Sequence, residues 1–324
     1  MRRILQREVH MDKIQKEIRV QHDHIIVANV YMPEKEIRGH VHIFHGMAEH
    51  QERYEKFARF LNEHGYVVST HDHRGHGQTA SKNNAPYGFF AEEDGFEVVV
   101  QDAHDVIQAI RQEHDWPMPI LIGHSMGSFI LRRYIEFYSH EVKKVILIGT
   151  GAFSSLHRVG LYTARLLASQ KGKTKPAKLL EQMSFGSYNA KVENSKTSSD
   201  WLSTDSREVR KYIEDDLCGF TCTNQFYVDL LTGLATLSKE AEVNRIRKDL
   251  PILLISGKED PVGDYGKGVW RVARQYYHAG FTHVTVHLFE HKRHEILNEQ
   301  NNTMVYKTIL KWLEKKSHER ATAV

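Results

Sequence analysis

Of the groups in this chain that could do chemistry, the sharpest is a serine held between two glycines, Gly123-His124-Ser125-Met126-Gly127. The apolar run Pro119-Ile120-Leu121-Ile122 precedes it, and Phe129, Ile130 and Tyr134 follow at helical spacing, which predicts a strand-to-helix turn. In that context G-x-S-x-G forms a nucleophile elbow, because small residues at 123 and 127 let the chain turn sharply and lift the hydroxyl off the sheet. The helix N-terminus behind Ser125 favours negative charge developing there. A serine needs a base, and the base an orienting carboxylate. Asp260, in Ser256-Gly257-Lys258-Glu259-Asp260-Pro261-Val262, follows one apolar strand, and His294, in Phe289-Glu290-His291-Lys292-Arg293-His294-Glu295, follows the next. Glu259 and Asp264 compete for the carboxylate role, and His287 and His291 for that of the base. His287 lies within a strand, whereas His294 is predicted to lead directly into the final helix. The oxyanion donors are expected to be the N–H of Met126, next to the serine, and that of Met47, in His45-Gly46-Met47 after the strand ending at Phe44. In both the backbone acts, and the methionine side chains are expected to form pocket wall.

The elements that must carry these residues follow from apolar periodicity. Glu17–Val20 and Ile25–Tyr31, joined by the polar Gln21-His22-Asp23-His24, read as an antiparallel hairpin. Strands are expected at 40–44, 66–70, 119–123, 144–148, 251–255 and 284–288. Helices are expected around Tyr54–Leu61, Phe96–Ile110, Tyr265–Ala279 and Ile296–Lys315. Strands alternating with helices imply an α/β fold with a mostly parallel central sheet covered by helices on both faces. The rhythm breaks between 153 and 241, which lacks β-branched runs and contains the polar stretch Asn189–Asp200 and an amphipathic helix at Asn224–Leu237. The chain therefore divides into a core of 1–152 and 242–324 and a helical insertion of 153–241, placed where it can cover the carboxyl ends of the strands.

Composition excludes other classes. The 324 residues are 40% hydrophobic and 26% charged, with a formal net charge of +3, and Lys and Arg are interleaved with Asp and Glu. No basic face for nucleic acid is expected. No run reaches the roughly 18 to 20 apolar residues of a membrane span. The start, Met1-Arg2-Arg3-Ile4-Leu5-Gln6-Arg7-Glu8, has the charge of a secretory leader but not its apolar stretch. The only two cysteines, Cys218 and Cys222, read as free thiols in a reducing, cytoplasmic setting. His71, His73 and His76 beside His42 and His45 invite a metal reading, but neither H-x-H-x-D-H nor H-E-x-x-H is present, so no metal is expected.

The ordered set His45-Gly46-Met47-Ala48-Glu49-His50, Arg53-Tyr54, Asp72-His73-Arg74-Gly75-His76-Gly77, Gly123–Gly127, Asp260-Pro261-Val262 and Arg293-His294-Glu295 resembles the monoacylglycerol lipase and lysophospholipase branch of the α/β hydrolases, grouped by sequence with serine aminopeptidases. The resemblance spans about residues 15 to 315. It extends to the insertion, where Trp201-Leu202-Ser203 and Asp216-Leu217-Cys218-Gly219-Phe220 look like segments of bacterial lysophospholipase-like members. It implies an α/β-hydrolase fold in which the insertion is a cap, with catalytic and oxyanion roles on Ser125, Asp260, His294, Met47 and Met126. It further implies an alcohol-binding site at Glu49 and Arg53, no cofactor, and a histidine loop that braces the site from beneath. Ala48 departs from the glycine common in monoacylglycerol lipases.

The expected substrate is a small lipid ester, a monoacylglycerol or lysophospholipid. Peptidase or thioesterase activity with the same triad, or a non-catalytic binding module, are the alternatives. Phe226, Leu230, Leu231 and Leu234 repeat at helical spacing and could line an acyl tunnel or pack the insertion onto the core. Lys171, Lys173, Lys175 and Lys178 could meet an anionic membrane surface transiently or form a solvated linker.

Overall fold

Short apolar runs become strands here because their alternate side chains find partners on both faces of one sheet. The computed structural model describes residues 13–315, so the N-terminal stretch weighed above as a leader lies outside the described residues. In chain order, β1 (Lys13–Arg19) and β2 (Ile25–Tyr31) are followed by β3 (Gly39–Phe44), α1 (Glu55–Glu63), β4 (Tyr66–His71), α2 (Gly77–Lys82), α3 (Gly95–Gln112), β5 (Ile120–His124), α4 (Met126–Tyr138) and β6 (Lys144–Ile148). Next come α5 (Ser155–Lys171), α6 (Lys178–Phe185), α7 (Ser206–Glu214), α8 (Asn224–Leu237) and α9 (Glu240–Val243). After them lie β7 (Ile252–Gly257), α10 (Lys267–His278), β8 (Val284–Phe289) and α11 (Thr303–Glu314).

The strands form one sheet in the order β1-β2-β4-β3-β5-β6-β7-β8. β1 pairs with β2, and β2 with β4, antiparallel; the pairs from β4 to β8 are all parallel. Side chains alternate across it as the pleat requires. Ile120 and Ile122 join Val41, Ile43, Ile146 and Leu253 against Phe57 and Leu61 of α1 and Val305 and Ile309 of α11. Leu121, between them, joins Val145, Leu147 and Leu254 on the other face, against α3, α4 and α10. Every residue of β5 and β6 is buried, as expected for strands covered on both sides.

Between β6 and β7 the described residues are helical or irregular apart from one isolated antiparallel bridge between Pro176 and Thr223, with short 3-10 turns at Tyr188–Lys191 and Asp200–Leu202 at the two ends of the polar stretch. α8 packs against α3, α4 and α5, and Phe226, Leu230, Leu231 and Leu234 are all buried, so its apolar stripe fastens this segment to the core. Thr223 caps α8 by accepting from the Phe226 N–H at 3.3 Å, and Asp205 caps α7 by accepting from the Arg207 N–H at 3.0 Å.

Several element bounds differ from expectation. Among the described residues β1 already runs from Lys13, four residues before the run that announces it, because its pairing with β2 extends to Tyr31. The expected helix over 296–315 is broken: a 3-10 turn covers Ile296–Asn298 and α11 starts only at Thr303. Between them Glu299 accepts from the N–H groups of Arg293 at 2.8 Å and Thr204 at 3.0 Å, and Asn301 lies at φ 56°, a conformation no helix interior tolerates. His294 therefore enters a short polar loop and not the final helix. The short α2 is a further departure, its N-terminus held by Asp72, which accepts from the Gln78 N–H at 2.8 Å.

Candidate active site

Ser125 is the residue at which β5 becomes α4, and its backbone shows what the two glycines are for. It lies at φ 52° and ψ −121°, outside the wells that L residues favour. Its N–H bonds to the Ile148 carbonyl at 2.9 Å, and its own carbonyl accepts from the Ser128 N–H at 2.8 Å and hydroxyl at 2.6 Å, so both neighbouring strand and following helix hold the strain. At Gly127 a Cβ would come within 2.3 Å of the Phe44 carbonyl oxygen, which excludes any side chain there. At Gly149, just past β6, a Cβ would lie 2.9 Å from His294 Cε1; the imidazole thus lies over the residue following Ile148, beside the serine turn.

His294 and Asp260 come from the loops after β8 and β7. His294 Nδ1 is 2.9 Å from Asp260 Oδ1, and both side chains are almost wholly buried. Asp260 also accepts from Ser256 Oγ at 2.8 Å and the Val262 N–H at 2.9 Å. Burial alone would raise its carboxyl, but the facing His294 and these hydrogen bonds outweigh burial and hold it below the usual carboxylate range. An ionised carboxylate accepts only, so Nδ1 donates to it, and in the neutral ring Nε2 is the nitrogen with the lone pair. The rival groups lie elsewhere: Asp264 pairs with Arg271 at 2.8 Å, Glu259 reaches His291 at 3.6 Å, the His291 side chain is 92% exposed, and His287 points from β8 to solvent.

The loop after β3 brings Met47 to the same place. A Cβ on Gly46 would lie 3.3 Å from Ser125 Cβ, which sets this loop against the serine. Among the described residues neither the Met47 nor the Met126 N–H has a hydrogen-bond acceptor; for Met126, in the first turn of α4, this is the ordinary state of a helix N-terminus. The loop is held by a buried polar network. Glu49 Oε1 accepts from the Gly46 N–H at 2.5 Å and Tyr54 Oη at 2.7 Å and lies 3.2 Å from His124 Nδ1. Arg53 bonds Glu49 Oε2 at 2.6 Å and grips both oxygens of Glu295 at 2.6 and 2.7 Å. Burial disfavours charge on Glu49, yet Arg53 and His124 more than offset it and hold the carboxyl well below its usual range. Glu49 and Arg53, expected to meet an alcohol headgroup, are in this structure committed to each other and to Glu295.

Beneath the loop, His40 Nε2, Ser69 Oγ, His42, His71 and His73 form a chain of contacts of 2.6 to 3.0 Å, and His45 Nε2 accepts from the His73 N–H at 2.9 Å. Burial pushes His40 and His71 down to about 3, so these rings are neutral. The His73 N–H, bonded to His45 Nε2, ties this row to the loop after β3.

The sequence singles out Trp201-Leu202-Ser203 and Arg293-His294-Glu295 by resemblance alone, without their role of seating the helical segment on the loop that carries His294. Trp201 lies 5.1 Å from the His294 ring between centroids and stacks on Phe185 at 5.8 Å. The Glu295 N–H bonds the Leu202 carbonyl at 2.7 Å, and Arg293 Nη1 reaches the carbonyls of Asp200 at 2.7 Å and Ser203 at 3.0 Å. The available signal was a lone tryptophan at the end of the polar stretch.

A family model described as "Serine aminopeptidase, S33" matches residues 35–301. The monoacylglycerol lipase of Mycolicibacterium smegmatis is 25% identical over 89% of this chain and 92% of its own length. The human monoglyceride lipase is 27% identical over 87% of this chain and 84% of its own. The structure of a thermostable carboxyl esterase from Bacillus coagulans, in complex with glycerol, superposes with a TM-score of 0.86 at 25% identity, covering 94% of this chain and 98% of that one. The match over most of the chain, the sheet order and the elbow at Ser125 together establish that the chain belongs to the serine aminopeptidase S33 family of α/β hydrolases, in a branch similar to the monoacylglycerol lipases.

Proposed function

We propose that this carboxylic ester hydrolase cleaves lipid monoesters, of the monoacylglycerol or lysophospholipid type, through an acyl-enzyme on Ser125. The carrying observation is the buried 2.9 Å pair of His294 and Asp260 beside the strained turn at Ser125. His294 Nε2 takes the proton as Ser125 Oγ attacks the ester carbonyl, and the N–H groups of Met47 and Met126 stabilise the oxyanion. Collapse breaks the bond to the alcohol, which leaves with the proton from His294. Water, deprotonated by the same nitrogen, then releases the acid and restores the serine. Asp260 orients the imidazole and stabilises its charged form.

Residues 153–241 act as the cap in this reading, with α8, which carries Phe226 and Leu230, backing the acyl site, and Glu49 and Arg53, held by Glu295, bounding its polar end. Glycerol bound in the Bacillus coagulans esterase supports a polyol headgroup. The surface of α5 and α6 supports a transient lipid contact: Leu156, Val159, Tyr162, Leu166, Leu179 and Met183 are all exposed, Leu156 at 80%. Arg158, Arg165, Lys171, Lys175 and Lys178 are exposed on the same two helices and the turn between them. Both cysteines are unpaired thiols, which fits a reducing, cytoplasmic setting.

A fluorophosphonate probe with a hydrolysis panel tests the proposal. The wild type is expected to label and to prefer monoacylglycerol or lysophosphatidylcholine over aminoacyl amides. Ser125→Ala is expected to lose labelling and about 10⁴-fold or more in kcat/KM. Equal labelling of the variant would sink the nucleophile. The family's description favours amide cleavage as the second reading, and a clear preference for amides would establish it instead.

A further inference from the structure

His50 immediately follows Glu49 in the loop after β3 and points away from that network toward the segment after α7. Its Nε2 lies 2.8 Å from Asp215 Oδ2, although the two residues are 165 positions apart in the chain. Cys218 completes a group of three: one ligand atom each from His50, Asp215 and Cys218 all lie within 4.8 Å of one another. His50 and Cys218 are buried, and the Asp215 side chain is 34% exposed, so the group has a dry interior and one side open to water. The backbone already holds the ligands in place. Asp215 Oδ1 accepts from the Leu217 N–H at 2.9 Å, which leaves Oδ2 for His50. The turn is closed by the Cys218 N–H on the Asp215 carbonyl at 2.9 Å, and both the Gly219 N–H, at 2.9 Å, and Tyr212 Oη, at 3.1 Å, bond the Ala48 carbonyl.

We propose that His50, Asp215 and Cys218 form a binding site for a zinc-class divalent cation that ties residues 215–219 to the loop carrying Met47 and Glu49. The ligand set decides the class. One imidazole, one carboxylate and one thiolate with a fourth position facing water is a set that zinc accepts, whereas magnesium and calcium require oxygen ligands. Arg53 is the cation that could oppose this, since its charge acts on Cys218. It is bound by both Glu49 and Glu295, so with Asp215 the neighbourhood carries an excess of negative charge before the thiol ionises. Burial holds the Cys218 thiol protonated without metal. Binding therefore releases that proton to solvent, and the hydrogen between His50 Nε2 and Asp215 gives way to the metal as the imidazole proton moves to Nδ1.

Chelator-treated full-length protein titrated with zinc alone, and with cobalt as a spectroscopic stand-in, tests the site without recourse to hydrolysis. One equivalent of zinc is expected to bind at micromolar affinity or tighter, and the cobalt form to show a thiolate-to-metal charge-transfer band. Asp215→Asn, which keeps the shape of the turn, is expected to weaken binding at least about tenfold. Cys218→Ser is expected to remove the charge-transfer band, while Cys222→Ala keeps it. Thermal melts of the metal-free variants report whether they fold. If Cys218→Ser does not, protection of Cys218 from alkylation by zinc in the wild type takes its place. Absence of stoichiometric binding, binding without the thiolate band, or equal affinity in a folded Asp215→Asn would each overturn the proposal. Because none of these readouts uses ester cleavage, they stand or fall separately from the proposed activity.

Discussion

Ala48 carries a methyl group on a backbone at φ 50°, between Met47, the proposed oxyanion donor, and the network residue Glu49. An L residue there costs about 1–2 kcal/mol, of which glycine would return part to chain entropy. Ala48→Gly is therefore expected to raise stability by about 0.5–1 kcal/mol, seen as a higher urea midpoint at unchanged m-value, with hydrolysis unaltered. A lower midpoint would mean that the packing of the buried methyl outweighs the strain. At this scale Ser125 was legible because small neighbours between an apolar strand and a helix have few other uses. The placement of Asp260 was legible because it lies just past an apolar strand, where a loop holds it over the carboxyl edge of the sheet. Trp201 was not, since nothing local ties a tryptophan in a polar stretch to a histidine 93 positions later, and only the fold brings the rings to 5.1 Å.

Elements show a similar division. The apolar stripe of α8 was readable, but its destination among α3, α4 and α5 was not, and neither was its one buried acid. Asp229 accepts from Gln225 Nε2 at 2.9 Å, and its Oδ2 sits where a Cβ on Gly95, at the start of α3, would lie 2.2 Å away. Burial pushes its carboxyl up to about 7. Below the unfolded-chain value both states hold the proton. From there to about pH 7 the folded chain keeps a proton that the unfolded chain has lost, so stability falls as pH rises through this window and is level above it. Relative to wild type, Asp229→Asn is expected to gain on the order of 2–4 kcal/mol between pH 4 and pH 8; a pH-independent difference in urea midpoint would refute the assignment. For α5, replacing the exposed Leu156 and Tyr162 together with serine is expected to reduce co-flotation with anionic vesicles severalfold. Turnover of a soluble short-chain ester should stay unchanged. Loss of both activities would place these residues in the pocket, not on the lipid-facing surface.

Across the whole molecule, Arg53 joins two loops and the end of β5, which the chain supplies far apart. Through Glu49 it reaches the Gly46 N–H and His124, and through Glu295 it reaches the residue after His294. Removing it leaves two buried carboxylates facing one another. Arg53→Ala is expected to destabilise the fold by about 3–5 kcal/mol. It should also lower kcat on a soluble ester even where the variant is fully folded, because the loops carrying Met47 and His294 lose their common tie. An unchanged kcat in the folded variant would confine Arg53 to a stabilising role.

Reading along the chain reaches as far as local rules: strands where apolar β-branched runs are short, an elbow where glycines flank a serine, and the order in which a serine, a carboxylate and an imidazole occur. These depend on neighbours a few residues away, so spacing alone carries them. Whatever depends on distant partners came from the assembled fold. It delayed the start of the final helix to Thr303, because Glu299 bonds to Thr204 and Arg293. It turned Glu49 and Arg53 from free polar groups into a buried tie. It also set His50 beside Asp215 and Cys218. Side-chain identity permits each of these contacts, but only the folding of the sheet and the helical segment onto each other makes them close.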